Sequence, residues 1–301
     1  MPKRTTDKTP DIESVIPWGQ SFLSNVIMSE DNRDETSRLD PNFVHVSATV
    51  GWCPRAYALQ VHRGINPQKR VEGPMRVVWA IGRAVEKHVR EQFIRGVNFV
   101  GVYGVWKCQC KEGGIRREGF YSRKTCDKCG HDADTYDEID LRCKVARVTG
   151  HPDLIFIRKG LLYVVEIKSL TNSESANKRG AGFNAITRPF GDHVYQASNY
   201  QKMIRPLARK LGVKVARNII VFYCSKDFQW RPPYYKEFHV DSTDEAHQQL
   251  LNETHEGARQ AVEYVKSGGK KSLLPPRKLC NSCNCKRALE CPVSQECFAI
   301  R

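Results

Sequence analysis

Asp153, Glu166 and Lys168 lie in the segment GHPDLIFIRKGLLYVVEIKSL, residues 150–170, which reads as two strands joined by a tight turn at Arg158–Lys159–Gly160. A β-hairpin places Asp153 at the start of the first strand. It places Glu166 and Lys168 near the end of the second, two residues apart and therefore on one face. Two neighbouring carboxylates repel unless a divalent cation neutralises them, and hard oxygen ligands select Mg²⁺ or Mn²⁺. Such a metal polarises a phosphate and lowers the pKa of a coordinated water, while a lysine beside it orients that water or stabilises developing negative charge. The chemistry is phosphodiester hydrolysis. The blander reading is a surface Glu–Lys pair on an amphipathic strand. Against it, Glu166 follows Leu161–Leu162–Tyr163–Val164–Val165, a central-strand run in which a charge costs energy unless it is used.

Cysteine is the other chemistry-bearing residue, with twelve in the chain. The N-terminus lacks the apolar core of a signal peptide, and no stretch approaches the ~20 apolar residues of a membrane span, so a cytoplasmic, reducing location is expected. Clustered thiols then point to metal rather than to disulfides. Cys108-x-Cys110 and Cys126-x2-Cys129, followed by Gly130, have the spacing of a four-thiolate structural zinc site in a zinc-ribbon-like insertion over 107–140; His131 can replace one thiol. Arg116, Arg117, Arg123 and Lys124 lie between the ligand pairs, where they either grip nucleic acid or flank a purely structural staple. Cys280, Cys283, Cys285, Cys291 and Cys297 crowd the Cys-rich segment 275–301, far in sequence from Cys53. Four thiolates from this set can hold zinc or an iron–sulfur cluster and tie an early helix to a late segment. Cys143 and Cys224 read as ordinary buried cysteines.

The elements that must position these groups mix helix and strand along the chain. Residues 1–42 are polar and mixed in charge, with few apolar anchors, and are expected to be mobile. Ser47 is a candidate N-cap for a short helix running to Val61, with Cys53 near its start. Over 75–96, Val78, Ile81, Val85, Val89 and Phe93 recur at helical spacing and Gly96 is a stop. The run NFVGVYGVW predicts a strand leading into the insertion. A polar, Gly-containing segment from Ser173 to Asp192 is expected as a substrate-facing loop ahead of a helix from His193 to Leu211. Residues 217–224 predict a buried strand, and 242–267 a helix capped by Ser242 or Thr243. No internal repeat and no phosphate-binding G-x-x-x-x-G-K-[ST] loop occurs, so no nucleoside triphosphate site is expected. Lys and Arg number 48 against 33 Asp and Glu, a formal net charge of +15, which favours a polyanionic partner bound in a salt-dependent way.

Gly150-His151-Pro152-Asp153 followed by Glu166-Ile167-Lys168 resembles the PD-(D/E)xK nuclease superfamily, and Gln196-Ala197-Ser198-Asn199-Tyr200 matches the Q-x-x-x-Y motif of its RecB-like branch. The resemblance implies a restriction-endonuclease-like core, a mixed central β-sheet flanked by helices, over residues 43–301. It also implies that Asp153 and Glu166 bind metal, Lys168 assists the nucleophile, and Gln196 and Tyr200 lie on a helix flanking the site; their i, i+4 spacing independently puts them on one helical face. An early helix supplies a further acidic or histidine ligand in that superfamily. Glu86 and His88 compete for this place on opposite edges of the apolar stripe, and Glu86, four residues after Gly82, has the spacing found in RecB-like relatives.

The late cysteines resemble the iron–sulfur staple of RecB-like nucleases such as the AddB nuclease domain and the CRISPR-associated exonucleases, where one early cysteine joins three late ones spaced C-x2-C-x5-C. Here Cys280-x2-Cys283 continues with x7 to Cys291. The set implied is Cys53, Cys280, Cys283 and Cys291 around a 4Fe-4S cluster, with Cys285 and Cys297 as substitutes. The whole implies a Mg²⁺- or Mn²⁺-dependent deoxyribonuclease, an exonuclease acting on single-stranded or end-bearing DNA. It would serve recombination, repair, phage DNA metabolism or CRISPR adaptation, alongside a helicase or another partner of those processes. A non-catalytic zinc-ribbon nucleic-acid-binding protein and a sequence-specific endonuclease are the alternatives.

Overall fold

A computed structural model describes residues 39–49, 51–65, 73–110, 114–172, 182–226, 234–277 and 279–300. Most of the expected polar segment 1–42, and the part of the polar loop at 173–181, lie outside them. In chain order, β1 (Val44–His45) leads to α1 (Pro54–Arg63), α2 (Gly73–Gly96), β2 (Val102–Lys107), β3 (Arg116–Phe120) and β4 (Thr135–Asp137). Next come β5 (Leu141–Cys143), β6 (Val148–Gly150), β7 (Leu154–Arg158), β8 (Leu161–Leu170), α3 (Gly191–Met203) and α4 (Arg205–Lys210). β9 (Lys214–Val215), β10 (Asn218–Ser225), β11 (Tyr235–Asp241), α5 (Glu245–Lys266), α6 (Lys286–Leu289) and α7 (Ser294–Ala299) complete the order.

The architecture is mixed α/β. An eight-stranded sheet in the order β11-β10-β8-β7-β2-β3, with β4 also paired to β2 and β9 to β8, is flanked by helices; β1, β6 and β5 form a separate three-stranded sheet. Alternation along β8 sends Leu162 and Val164 into a core shared with Ala58 and Leu59 of α1, Tyr200 of α3 and Ala258 and Val262 of α5. Val165 and Ile167 face the other way, onto Val89 and Ile94 of α2. Each such side chain taken fully from water contributes about 1.5–3 kcal/mol. The apolar stripe of α2 is only partly covered, for Val78, Ile81 and Phe93 remain exposed.

β7 and β8 form the expected hairpin, antiparallel from Arg158↔Leu161 to Leu154↔Val165, with Lys159 and Gly160 both at positive φ in the turn. Beyond Val165 the chain of β7 has turned away at Pro152, while β8 continues for five residues. Its other edge stays paired in parallel with β10, from Val165↔Ile220 to Leu170↔Ser225. Among the described residues, a length of strand edge is therefore left without a neighbouring strand, directly beside Asp153.

Three helix boundaries differ from the sequence expectations, each for a local reason. α1 begins at Pro54 with Cys53 at its cap, because residues 46–49 make a separate 3-10 turn and proline suits the first helical position. The helix expected from His193 to Leu211 breaks at Ile204, since Pro206 has no N–H to donate and its ring opposes an uninterrupted helix. The cap of α5 is Asp244, whose side chain accepts the His247 N–H at 3.0 Å. Ser242 is instead buried and donates to the Arg217 carbonyl at 3.0 Å. No helix among the described residues is long and apolar enough to cross a membrane.

Candidate active site

Glu166 is fully buried on the α3 side of β8. Its Oε1 forms an ion pair with Lys168, and Oε2 accepts no hydrogen bond from the protein. Lys168 Nζ also lies 3.9 Å from Asp153 Oδ2. Burial, and then the nearby Asp153, push the Glu166 carboxyl up to about 8. Burial opposes the Lys168 charge, but Glu166 and Asp153 outweigh it and hold the ammonium above the usual lysine range. The ammonium thus supplies one positive charge beside two carboxylates.

Asp153 and Glu86 finish the strand edge that β7 abandons. Asp153 Oδ2 accepts the Ile167 N–H at 2.7 Å, and Glu86 Oε1, reaching in from α2, accepts the Ser169 N–H at 2.9 Å. Ile167 and Ser169 are alternate residues of one strand, so their N–H groups point to the same edge. Asp153, Glu166, Lys168 and Glu86 therefore share one end of β8, although the three carboxylates do not close to within 4.8 Å of one another, whereas His88 is exposed. Of the two candidates on α2, the structure puts Glu86 at the cluster.

Gln196 and Tyr200 share the face of α3 that meets this site: Gln196 Nε2 donates to Tyr200 Oη at 3.1 Å. Burial, then Glu166, raise the Tyr200 phenol above its ordinary range, so it stays protonated. The ring fits only because residue 150 is glycine, where a Cβ would lie 2.5 Å from Tyr200 Cε1. Gly150→Ala should displace the ring and lower stability by about 1–3 kcal/mol, the usual cost of overpacking. Thermal unfolding checks this, and an unchanged melting temperature would mean that the ring has room to move.

Several neighbours of Asp153 were not singled out by sequence reasoning. Glu138, at the end of the insertion, is ion-paired with Arg90 of α2, and burial followed by Asp153 raises its carboxyl. His151 contacts His45 at 3.5 Å and Asp140 at 3.7 Å. Only the position of His151, two residues before Asp153, carried a sequence signal for any of these.

The inserted cysteines form a closed site. Cys108, Cys110, Cys126 and Cys129 place their sulfurs all within 4.8 Å of one another, and this set could hold a metal ion. Backbone N–H groups, that of Ile115 first and those of Cys129 and Lys128 next, hold the Cys126 thiol down to about 6. Residue 114 must be glycine, since a Cβ there would sit 2.2 Å from Cys108 Sγ. His131 contributes its carbonyl, which accepts the Cys126 N–H at 2.8 Å. Of the four basic residues in this segment, Arg123 is ion-paired with Asp132, Arg116 reaches Asp137 and Arg117 bonds Ser122; Lys124 offers its carbonyl to the Ala133 N–H.

The late cysteines are gathered more loosely. Cys53, Cys280, Cys291 and Cys297 line one cavity of about 670 Å³. Burial first, and then the neighbouring Cys285 thiol, raises the Cys280 thiol. The Ala288 N–H holds Cys285 below its usual range. Cys283 is exposed, with its sulfur 3.6 Å from Asn284 Oδ1. The sulfurs of this group do not close to within 4.8 Å as the inserted four do. Cys224 is buried and Cys143 half-buried.

No protein-family profile matches the chain, and no curated protein matches it.

Proposed function

We propose that this chain is a metal-dependent deoxyribonuclease of the PD-(D/E)xK, RecB-like type, acting on single-stranded or end-bearing DNA. The observation that carries the reading is the buried Glu166 carboxylate. Among the described residues it has one oxygen without a partner, and Asp153, Glu86 and Lys168 stand around it on a strand edge that no described strand occupies. A buried carboxylate without enough donors is costly, and a divalent cation is the ligand whose charge and oxygen preference remove that cost. Mg²⁺ or Mn²⁺ held by Asp153, Glu166 and Glu86 would polarise the scissile phosphodiester and lower the pKa of a coordinated water. The protein's own part is positional. Ile167 and Ser169 N–H groups fix two of the carboxylates, Lys168 orients the attacking water and stabilises charge on the phosphate, and Tyr200, kept protonated and held by Gln196, closes the α3 side.

The net charge of +15 suits a polyanion recognised through its backbone. Zn²⁺ at Cys108, Cys110, Cys126 and Cys129 fits the closed thiol geometry, in a zinc-ribbon-like role. An iron–sulfur cluster is assigned to Cys53, Cys280 and Cys291, with Cys285 as the fourth thiol in place of Cys283. The core is read as restriction-endonuclease-like, and the location as cytoplasmic.

The test is digestion of end-labelled single- and double-stranded DNA by anaerobically purified protein. Cleavage should require Mg²⁺ or Mn²⁺, start from ends, and fall by about 10²–10³-fold in Asp153→Ala and Lys168→Ala, as loss of a charge-stabilising group does. Binding without cleavage in any metal, unchanged by either substitution, would replace this reading with a non-catalytic nucleic-acid-binding protein. A colourless preparation containing only zinc would remove the iron–sulfur assignment.

A further inference from the structure

Side-chain alternation along β8 turns Ser169 away from Glu166 and Lys168, toward α2. There it serves a single carboxylate oxygen twice: its N–H donates to Glu86 Oε1 at 2.9 Å, and its hydroxyl donates to the same atom at 2.8 Å. Ser169 is itself buried. α2 approaches this closely because residue 82, one turn before Glu86, is glycine. A Cβ at 82 would lie 2.9 Å from Ser169 Oγ and 3.1 Å from Lys226 Nζ. Glycine in the middle of a helix costs ~0.5–1 kcal/mol relative to alanine, so the close approach offsets a local penalty.

We propose that Ser169 is the positioning residue for Glu86, holding Oε1 on the rigid strand so that Oε2 is the oxygen available to the divalent cation. The inference rests on the metal-site reading of the previous subsection. A free glutamate carries several rotatable bonds, and ordering it on metal binding costs conformational entropy. Two donors on a central strand place that cost in the folded protein, ahead of binding. Hydrogen-bond partners of metal ligands act in this way generally, and their loss weakens metal affinity about 10–100-fold. The competing role for Ser169 is a plain tie between α2 and β8. Such a tie would alter stability and leave Mn²⁺ affinity unchanged.

A double-mutant cycle on Mn²⁺ binding separates the two roles. The dissociation constant is measured without DNA, by the electron paramagnetic resonance signal of free Mn²⁺, for the full chain, Ser169→Ala, Glu86→Ala and the double variant. Ser169→Ala should weaken binding roughly 10-fold or more. In the Glu86→Ala background the same substitution should have no further effect, because the carboxylate it serves is gone. Equal binding by Ser169→Ala and the unaltered chain, or additive losses in the double variant, would overturn the proposal while leaving the metal site in place. Failure of the unaltered chain to bind Mn²⁺ at all would remove the metal-site reading and this proposal together. Should Ser169→Ala fail to fold, judged by circular dichroism, Ser169→Cys takes its place, keeping the shape with a much weaker donor.

Discussion

Glu166→Gln is expected to abolish metal-dependent cleavage and at the same time to raise the melting temperature of the metal-free protein, by more at pH 8 than at pH 5. Burial and Asp153 raise the Glu166 carboxyl from its ordinary 4.5 to about 8. The folded chain therefore binds that proton more tightly than the unfolded chain does, so the contribution of Glu166 favours folding at low pH and is lost as pH rises from about 4.5 to about 8. Glutamine mimics the protonated carboxyl at every pH. The difference between variant and parent should open through that window and level off above it. Each pKa unit of separation corresponds to about 1.4 kcal/mol, so the gain is on the order of a few kcal/mol, or several degrees for a chain of this size. Groups remote from Glu166 titrate alike in both proteins and cancel in the comparison, whereas Lys168 loses its ion-pair partner in the variant and opposes the gain. Calorimetry at pH 5 and pH 8 in the presence of a chelator decides it. A glutamine variant less stable than its parent at pH 8 would mean that the Lys168 ion pair outweighs the burial of the charge.

The second large effect concerns the inserted thiols. The core of that segment consists of Cys108, Cys126 and Ala133, with Cys110, Ile115 and Cys129 packed against it. So few apolar groups cannot offset the entropy of ordering some thirty residues, whereas a structural zinc in small peptides contributes ~10–16 kcal/mol. Four thiols in close contact also cannot all ionise unaided. Cys126 is held down to about 6, while burial and the thiols of Cys126 and Cys108 push Cys129 up to about 11, despite the His131 N–H that opposes this. A dication lets all four ligate as thiolates. Cys126→Ser with Cys129→Ser should release one zinc per chain and remove hydrogen-exchange protection from residues 108–135, while the β7–β8 hairpin keeps its own. Full protection in the metal-free double variant would show that β3 and β4 are held by the sheet alone.

What the sequence made legible was local. The β7–β8 hairpin follows from a turn at 158–160 between two apolar runs, and a period of two suffices to put Glu166 and Lys168 together. The Cys108–Cys129 set follows from ligand spacing in the same way. Glu86 was harder, because it comes from 83 residues before its partner Ser169, and only its interval from Gly82 distinguished it from His88. Ser169 was overlooked since its function depends on which helix covers the far face of β8, and no single segment contains that fact. The late thiols were ambiguous for a related reason: five cysteines within eighteen residues offer several tetrads, and spacing alone does not choose among them. The break at Ile204 is written in the sequence at Pro206, which cannot donate to the preceding turn.

Asp153 and Glu86 have one more consequence, which concerns how copies of the chain meet one another. The end of β8 runs through Val165, Ile167 and Leu170, and among the described residues its N–H groups at 167 and 169 have no strand beside them. An apolar strand with a bare edge is a template for pairing with another chain. Two carboxylates cover those N–H groups and put negative charge where an incoming strand would have to lie. The groups proposed for hydrolysis thus also guard the sheet against self-association, so removing both at once bears on solubility as well as on activity.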